Sequence, residues 1–290
     1  MQKKLTSHFI NGDLKTNFFQ KFIYTLFFLV ELIYEKKMIG YKFNINNYKL
    51  FLEFFNYNEE ILKQKTPARI LQEFFIFELL SKNYNKEDAI KVLDIGCGDG
   101  RFCKFISKYF KNIQYFGIDY KNYSEWDNLK SDGIQFKSID LNETDFKFLD
   151  SYSNVDLIFS QSALEHIKYD LNLLTNLNKL FPSAKNVHLV PSCISFLNYL
   201  THGYRRYNYN DLKKLSKFLN KDIKISKLGD YAAVRSYFNY YYDVKKIIRG
   251  KKLHPFNFFM FKNTSYNENL IKKILFEDKS SYPLFYAIEY

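Results

Sequence analysis

The stretch Val92-Leu93-Asp94-Ile95-Gly96-Cys97-Gly98-Asp99-Gly100 constrains the fold of this chain more than any other. A short apolar run enters a glycine-rich turn there, and a helical pattern over 101–110 leaves it. Glycines in such a turn let the backbone bend tightly and approach a ligand, and the helix that follows offers its first amides to polar groups. The same alternation continues downstream. Segments 90–95, 114–119, 134–140, 155–160 and 186–190 read as strands, with two more at 223–228 and 284–289 and a helix over 210–220. Strands separated by helical segments imply right-handed crossovers and an α/β fold, a doubly wound, mostly parallel sheet of seven strands. Ligands in such sheets bind at the carboxyl ends of the strands.

Acidic residues stand where those ends fall. A dinucleotide turn, G-x-G-x-x-G, would need glycine at position 101, where Arg101 stands instead. Asp94, just before the turn, suits a ligand with an ammonium group. Asp119 ends the second strand, nineteen residues past Gly100, and a carboxylate there can accept both hydroxyls of a ribose. Asp140 ends the third strand and can receive the amino group of adenine, assisted by the amide of Leu141. The fourth strand runs into Ser160-Gln161-Ser162-Ala163-Leu164-Glu165-His166-Ile167.

This ordered set resembles the class I S-adenosylmethionine-dependent methyltransferases, over about 67–230 plus the last strand. The resemblance implies S-adenosylmethionine as cofactor. Gly96, Cys97, Gly98 and Gly100 would border its methionine and sugar, with Asp94 near the ammonium. Asp119 would hold the ribose and Asp140 with Leu141 the adenine; Gln161 would sit beside the sulfonium, and Tyr120 belongs to the same cofactor-binding set. The implied reaction is in-line methyl transfer, which rests on alignment because the leaving thioether is neutral.

A hydroxyl acceptor also loses a proton, so a base helps. His166, with Glu165 before it, is the candidate, since an unperturbed imidazole (pKa about 6.5) is largely neutral at pH 7. Related enzymes bind a divalent metal through Glu-x-x-Glu-His plus another histidine. Here Ser162 takes the first of those positions, so no metal is expected. After the fifth strand, His202, Tyr204, Arg205, Arg206 and Tyr207 form a basic, aromatic segment suited to a phosphate beside a sugar ring. That segment is similar to one in methyltransferases acting on small molecules and glycans. The expected acceptor is therefore a small molecule or glycan, sugar or phosphorylated metabolite, methylated on oxygen. His188, inside the fifth strand, reads as a core histidine.

Two alternatives stay open: an RNA methyltransferase and a non-catalytic cofactor-binding subunit. The first draws on charge. The 290-residue chain carries a formal net charge of +12, and residues 191–290 alone carry +10, a stretch that includes an expected aromatic and basic insertion at 230–281. Residues 1–65 read as a helical extension or lid, ahead of a methyltransferase domain over 66–290. Thr66 and Pro67 open a helix ending near Lys82. The apolar run 22–30 is well short of the roughly 20 residues a bilayer requires, and reads as a buried helix. Three cysteines without paired spacing, and no leader pattern, point to a reducing, cytoplasmic setting.

Overall fold

A computed structural model of the chain describes residues 10–14, 17–35, 54, 67–143, 145–197, 202–229 and 283–290. They divide into two compact units, one formed by Met1–Lys36, Asn85–Ser226 and Tyr286–Tyr290, the other by Lys37–Tyr84 and Lys227–Phe285.

The first unit is built on the sheet. The strands are β1 (Ala89–Ile95), β2 (Asn112–Asp119), β3 (Ile134–Ser138), β4 (Leu157–Gln161), β5 (Lys185–Pro191), β6 (Lys224–Leu228) and β7 (Phe285–Glu289), the last two belonging to this unit over Lys224–Ser226 and Tyr286–Glu289, in the order β3-β2-β1-β4-β5-β7-β6. The pairs β1–β2, β2–β3, β1–β4 and β4–β5 are parallel. Asn186 and Tyr290 exchange both backbone hydrogen bonds, the pattern of an antiparallel pair, so the sheet is mixed at that edge. Central strands are buried nearly end to end, as strands covered on both faces must be. After helices α1 (Phe18–Ile33) and α2 (Pro67–Asn83), helix α3 (Arg101–Tyr109) buries Phe102, Cys103, Phe105, Ile106 and Tyr109, and the Phe102 ring stacks on Phe159 at 4.0 Å. Because the chain runs from β1 outward to β3 and then returns to β4, the order reverses between β1 and β4. A ligand crevice belongs outside the carboxyl ends of those two strands.

Two boundaries differ from the sequence expectation. Strand β3 stops at Ser138, and Asp140 lies in a turn, where its Oδ1 accepts the Asn142 amide at 2.8 Å. Strand β4 starts at Leu157 and extends to Gln161. His188 is fully buried within β5, and burial lowers its pKa to about 3, so it is a neutral core histidine whose Nδ1 meets Ser160 Oγ at 2.8 Å.

Helix α1 (Phe18–Ile33) opens on a capping box, with Asn17 and Gln20 exchanging side-chain and backbone bonds. The expectation of a buried helix holds for one stripe only. Tyr24 and Phe28 are buried, whereas Phe18, Phe19, Phe22, Leu26, Leu29, Val30 and Ile33 are exposed, because the apolar residues run around the helix and one side meets the first unit. Among the described residues no helix is long and apolar enough to cross a membrane.

In the second unit, helix α2 (Pro67–Asn83) buries Ile70, Leu71, Phe74, Phe75, Ile76, Phe77, Leu79 and Leu80, and Phe54 packs on Phe74 and Phe77 at 5.4 and 5.5 Å. The expected insertion at 230–281, the capping role of Thr66 and most of the extension beyond residue 35 lie outside the described residues.

Candidate functional site

The glycine turn between β1 and α3 is held from beneath. The amides of Gly96 and Cys97 donate to the Ile118 carbonyl at 2.7 and 3.0 Å, and the Gly98 amide donates to Asp119 Oδ2 at 2.9 Å. Trp126 Nε1 donates to the Gly98 carbonyl at 2.8 Å, with its ring stacked on Phe136 at 5.1 Å. Gly96 has a φ of 74°, and a Cβ on it would lie 2.3 Å from Ala163 Cβ, so only glycine lets the turn meet the chain leaving β4. Trp126 and Ala163 carried no sequence signal, since each acts only through a neighbour distant in the chain.

Asp94 lies under the turn, 2% exposed, with Oδ2 accepting from the Tyr115 hydroxyl. Burial and the Asp94 charge push the Tyr115 pKa well up. Asp119 is buried at the end of β2, and Tyr120 after it is exposed. Cys97 is buried, its thiol pushed up by burial. Gln161 is half-buried at the end of β4, Leu141 is buried and Asp140 exposed. Nothing lies within 4 Å of where a side chain on Gly98 would begin, which leaves room over the turn, with Asp119 at its edge.

A second constellation stands past β4. The short turn Leu164–His166 presents His166, whose Nδ1 lies 2.7 Å from Asp13 Oδ2. His202 Nδ1 lies 2.8 Å from Asp13 Oδ1, and the two rings meet edge-on at 4.5 Å. Sequence reading missed Asp13 because it sits in a short Asn11-Gly12-Asp13 turn with no periodic neighbours. Backbone contacts seat it: the Gly203 amide donates to Asp13 Oδ2 at 2.9 Å, and the Gly12 amide to the Gly203 carbonyl at 2.7 Å. Gly203, at a φ of 63°, leaves no space for a side chain, since a Cβ would lie 2.6 Å from the Glu165 carbonyl oxygen. The Tyr24 hydroxyl on α1 donates to the His202 carbonyl at 2.6 Å, and Asn142 Nδ2 donates to the His166 carbonyl at 3.2 Å.

Glu165 is 1% exposed and neither carboxylate oxygen has a hydrogen-bond partner among the described residues; Oε1 lies 3.9 Å from His166 Nε2, a charge contact beyond hydrogen-bonding distance. His166 thus faces a carboxylate at each ring nitrogen. Burial alone would lower its pKa, but the Asp13 hydrogen bond and the charges of Glu165 and Asp13 outweigh that and raise it above 6.5. His166 is thus a stronger base than an unperturbed imidazole. Asp13 is held well below the carboxylate range, its own desolvation overcome by the two imidazoles.

The basic segment is also corrected. Arg205 is fully buried, paired with buried Asp170 through Nη1, and donates from Nη2 to the Lys168 carbonyl at 2.7 Å. Tyr207, likewise buried, donates to Asp170 Oδ2 at 3.0 Å. Arg206 is 1% exposed, donates to the His202 carbonyl at 2.9 Å and lies 5.8 Å from the Phe28 ring centre. These three side chains are committed to the interior, because Asp170 and the α1 face draw them in. His202 and Tyr204 remain at the partly exposed rim.

Comparison with known proteins finds methyltransferases. A family described as "Methyltransferase domain" matches residues 93–181. (S)-Tetrahydroprotoberberine N-methyltransferase of Eschscholzia californica is 23% identical over 136 residues, 47% of this chain and 37% of that protein, so the chain spans little more than a third of that curated relative. Among solved structures, a SAM dependent methyltransferase from Archaeoglobus fulgidus superposes with a TM-score of 0.46 at 19% identity, over 83% of this chain and 98% of that one. Phosphoethanolamine N-methyltransferase 2 of Haemonchus contortus, in complex with S-adenosyl-L-methionine, gives 0.47 at 18% identity, over 73% of this chain and 50% of that one. The carboxylates at the ends of β1 and β2, and strands β2, β3 and β4, fall within the stretch 93–181 that matches the methyltransferase domain family.

Proposed function

We propose that this chain transfers the methyl group of S-adenosylmethionine to a hydroxyl oxygen of a small, uncharged acceptor of the sugar or polyol class. The observation that carries this reading is the Asp13–His166–His202 cluster just past β4, within the unit that holds the glycine turn. A hydroxyl must lose a proton as its oxygen gains a methyl group, and an imidazole cluster is suited to receive it. When bound, the cofactor supplies a methyl group on a sulfonium whose departing thioether needs no acid. The glycine turn and Asp119 fix the cofactor in place, Gln161 lies at its reactive end, and His202 and Tyr204 border the acceptor. Rate then comes from alignment. A phosphorylated acceptor is disfavoured, since Arg205 and Arg206 are buried while Asp13 and Glu165 add negative charge. Three buried cysteines outside any disulfide support a reducing, cytoplasmic setting.

The test is incubation with methyl-labelled S-adenosylmethionine and a lysate resolved into small metabolites, glycans, RNA and protein, followed by chemical analysis of the labelled bond. Label in an alkali-stable methyl ether on a sugar or polyol is expected. Label on RNA or on an amine nitrogen would replace this reading.

A further inference from the structure

We propose that Asp13, His166 and His202 form a binding site for a divalent first-row transition metal ion, with Glu165 as the carboxylate that orients His166. Their ligand atoms lie within 4.8 Å of one another, two imidazole nitrogens against one carboxylate. The two Nδ1 atoms approach opposite oxygens of Asp13, at 2.7 and 2.8 Å, so an ion displacing the bridging protons would find all three side chains already turned toward one another. Each side chain is about one-third exposed, at 34%, 33% and 36% for His166, His202 and Asp13, which gives an ion a way in. The three come from separate parts of the chain, and the backbone amides of Gly12 and Gly203 and the side-chain amide of Asn142 hold them together before any ligand arrives.

Glu165 is the second, independent observation. A buried carboxylate with no hydrogen bond is costly. Its neighbour across 3.9 Å is His166 Nε2, and a proton on that nitrogen offers the nearest relief. With Nε2 carrying a proton toward Glu165, Nδ1 is the nitrogen left to face Asp13, as a ligand for an ion shared with Asp13. This is the arrangement in which a ligating histidine turns its other N–H to a carboxylate, which fixes the tautomer and raises ligand basicity. Imidazole nitrogens select zinc, cobalt, nickel or iron over magnesium and calcium, which prefer all-oxygen sets. Three protein ligands leave an open position, the mark of a site that takes a further oxygen ligand. A hydroxyl bound there would lose its proton more readily. In that last step the inference rests on the hydroxyl-acceptor reading; ion binding itself does not.

The full chain, stripped with a chelator, is titrated with cobalt(II), and zinc is added as competitor. Equimolar uptake with visible bands of nitrogen and oxygen coordination is expected, reversed by zinc and not produced by magnesium or calcium. His202→Ala and Asp13→Asn are expected to weaken uptake by more than about 100-fold, and Glu165→Gln by about 10- to 100-fold as an orienting partner. Should a variant fail to fold, the imidazole NMR signals of the unaltered chain give the same answer, with zinc shifting those of His166 and His202 and leaving His188 in place. No cobalt bands and no such shifts overturn the ion site, as does undiminished uptake by folded His202→Ala. Methylation of a hydroxyl acceptor by a chain that takes up no cobalt overturns the ion site and keeps the acceptor reading. Tight uptake with methyl transfer only to nitrogen or RNA keeps the site and removes that reading.

Discussion

Asp13 Oδ2 lies 2.7 Å from His166 Nδ1 although 153 positions separate the two residues. The contact ties the turn before α1 to the turn after β4, and it sets the charge of the ring. Replacing Asp13 by Asn keeps the shape and removes the anion, so the pKa of His166 should fall. Its raised value means that protonated His166 stabilises the fold fully below about pH 6.5, and that this contribution fades as pH rises through the folded-state pKa. Histidine NMR titration of the unaltered chain and Asp13→Asn reads the change directly. An unmoved His166 titration would remove Asp13 as its controlling charge.

If the cluster takes a proton from the acceptor, turnover should climb with pH through that same raised value, because protonated His166 cannot accept another proton. A kcat profile from pH 6 to 9 that is flat in the unaltered chain would exclude His166 from proton transfer.

Asp119 holds the Gly98 amide at 2.9 Å and stands where a ribose would be met. Asp119→Ala should raise the cofactor dissociation constant by well over tenfold, the scale of two charge-assisted hydrogen bonds at about 1.5–3 kcal/mol each. Calorimetric titration with S-adenosylhomocysteine measures it, and equal affinity in the folded variant would displace the ribose from this carboxylate.

Gly96 is the tightest steric point of the cofactor side. Alanine there meets both a left-handed backbone, φ 74°, and Ala163 Cβ at 2.3 Å. A loss of about 2–5 kcal/mol in stability is expected from strain plus overpacking, with weaker cofactor binding alongside. Urea denaturation of Gly96→Ala would show it, and the added substitution Ala163→Gly should recover part of the loss.

Arg205 separates an interior role from an acceptor-binding one. Removing it leaves Asp170 buried without its counter-charge, so Arg205→Ala should cost about 3–5 kcal/mol in stability. The acceptor KM of the folded fraction should hold. Arg205→Met combined with Asp170→Leu should recover most of the stability, and a large KM increase in that double variant would return Arg205 to the acceptor site.

The sequence alone determined the seven-stranded, mostly parallel sheet and the order of strands and helices along the chain. Glycine spacing, apolar strands and the carboxylates Asp94 and Asp119 at their ends are local features, and local features are written in consecutive residues. It misjudged Arg205 and Tyr207, because a basic, aromatic run reads the same whether it faces a ligand or a buried Asp170. It gave His166 an ordinary imidazole because the residues that charge it, Asp13 and Glu165, act through space, and only tertiary folding brings Asp13 from the start of the chain to His166 and His202. The glycine turn and the strand-end carboxylates follow from strand geometry, which short-range pattern dictates; the Asp13–His166–His202 cluster is assembled from three distant segments whose meeting depends on packing.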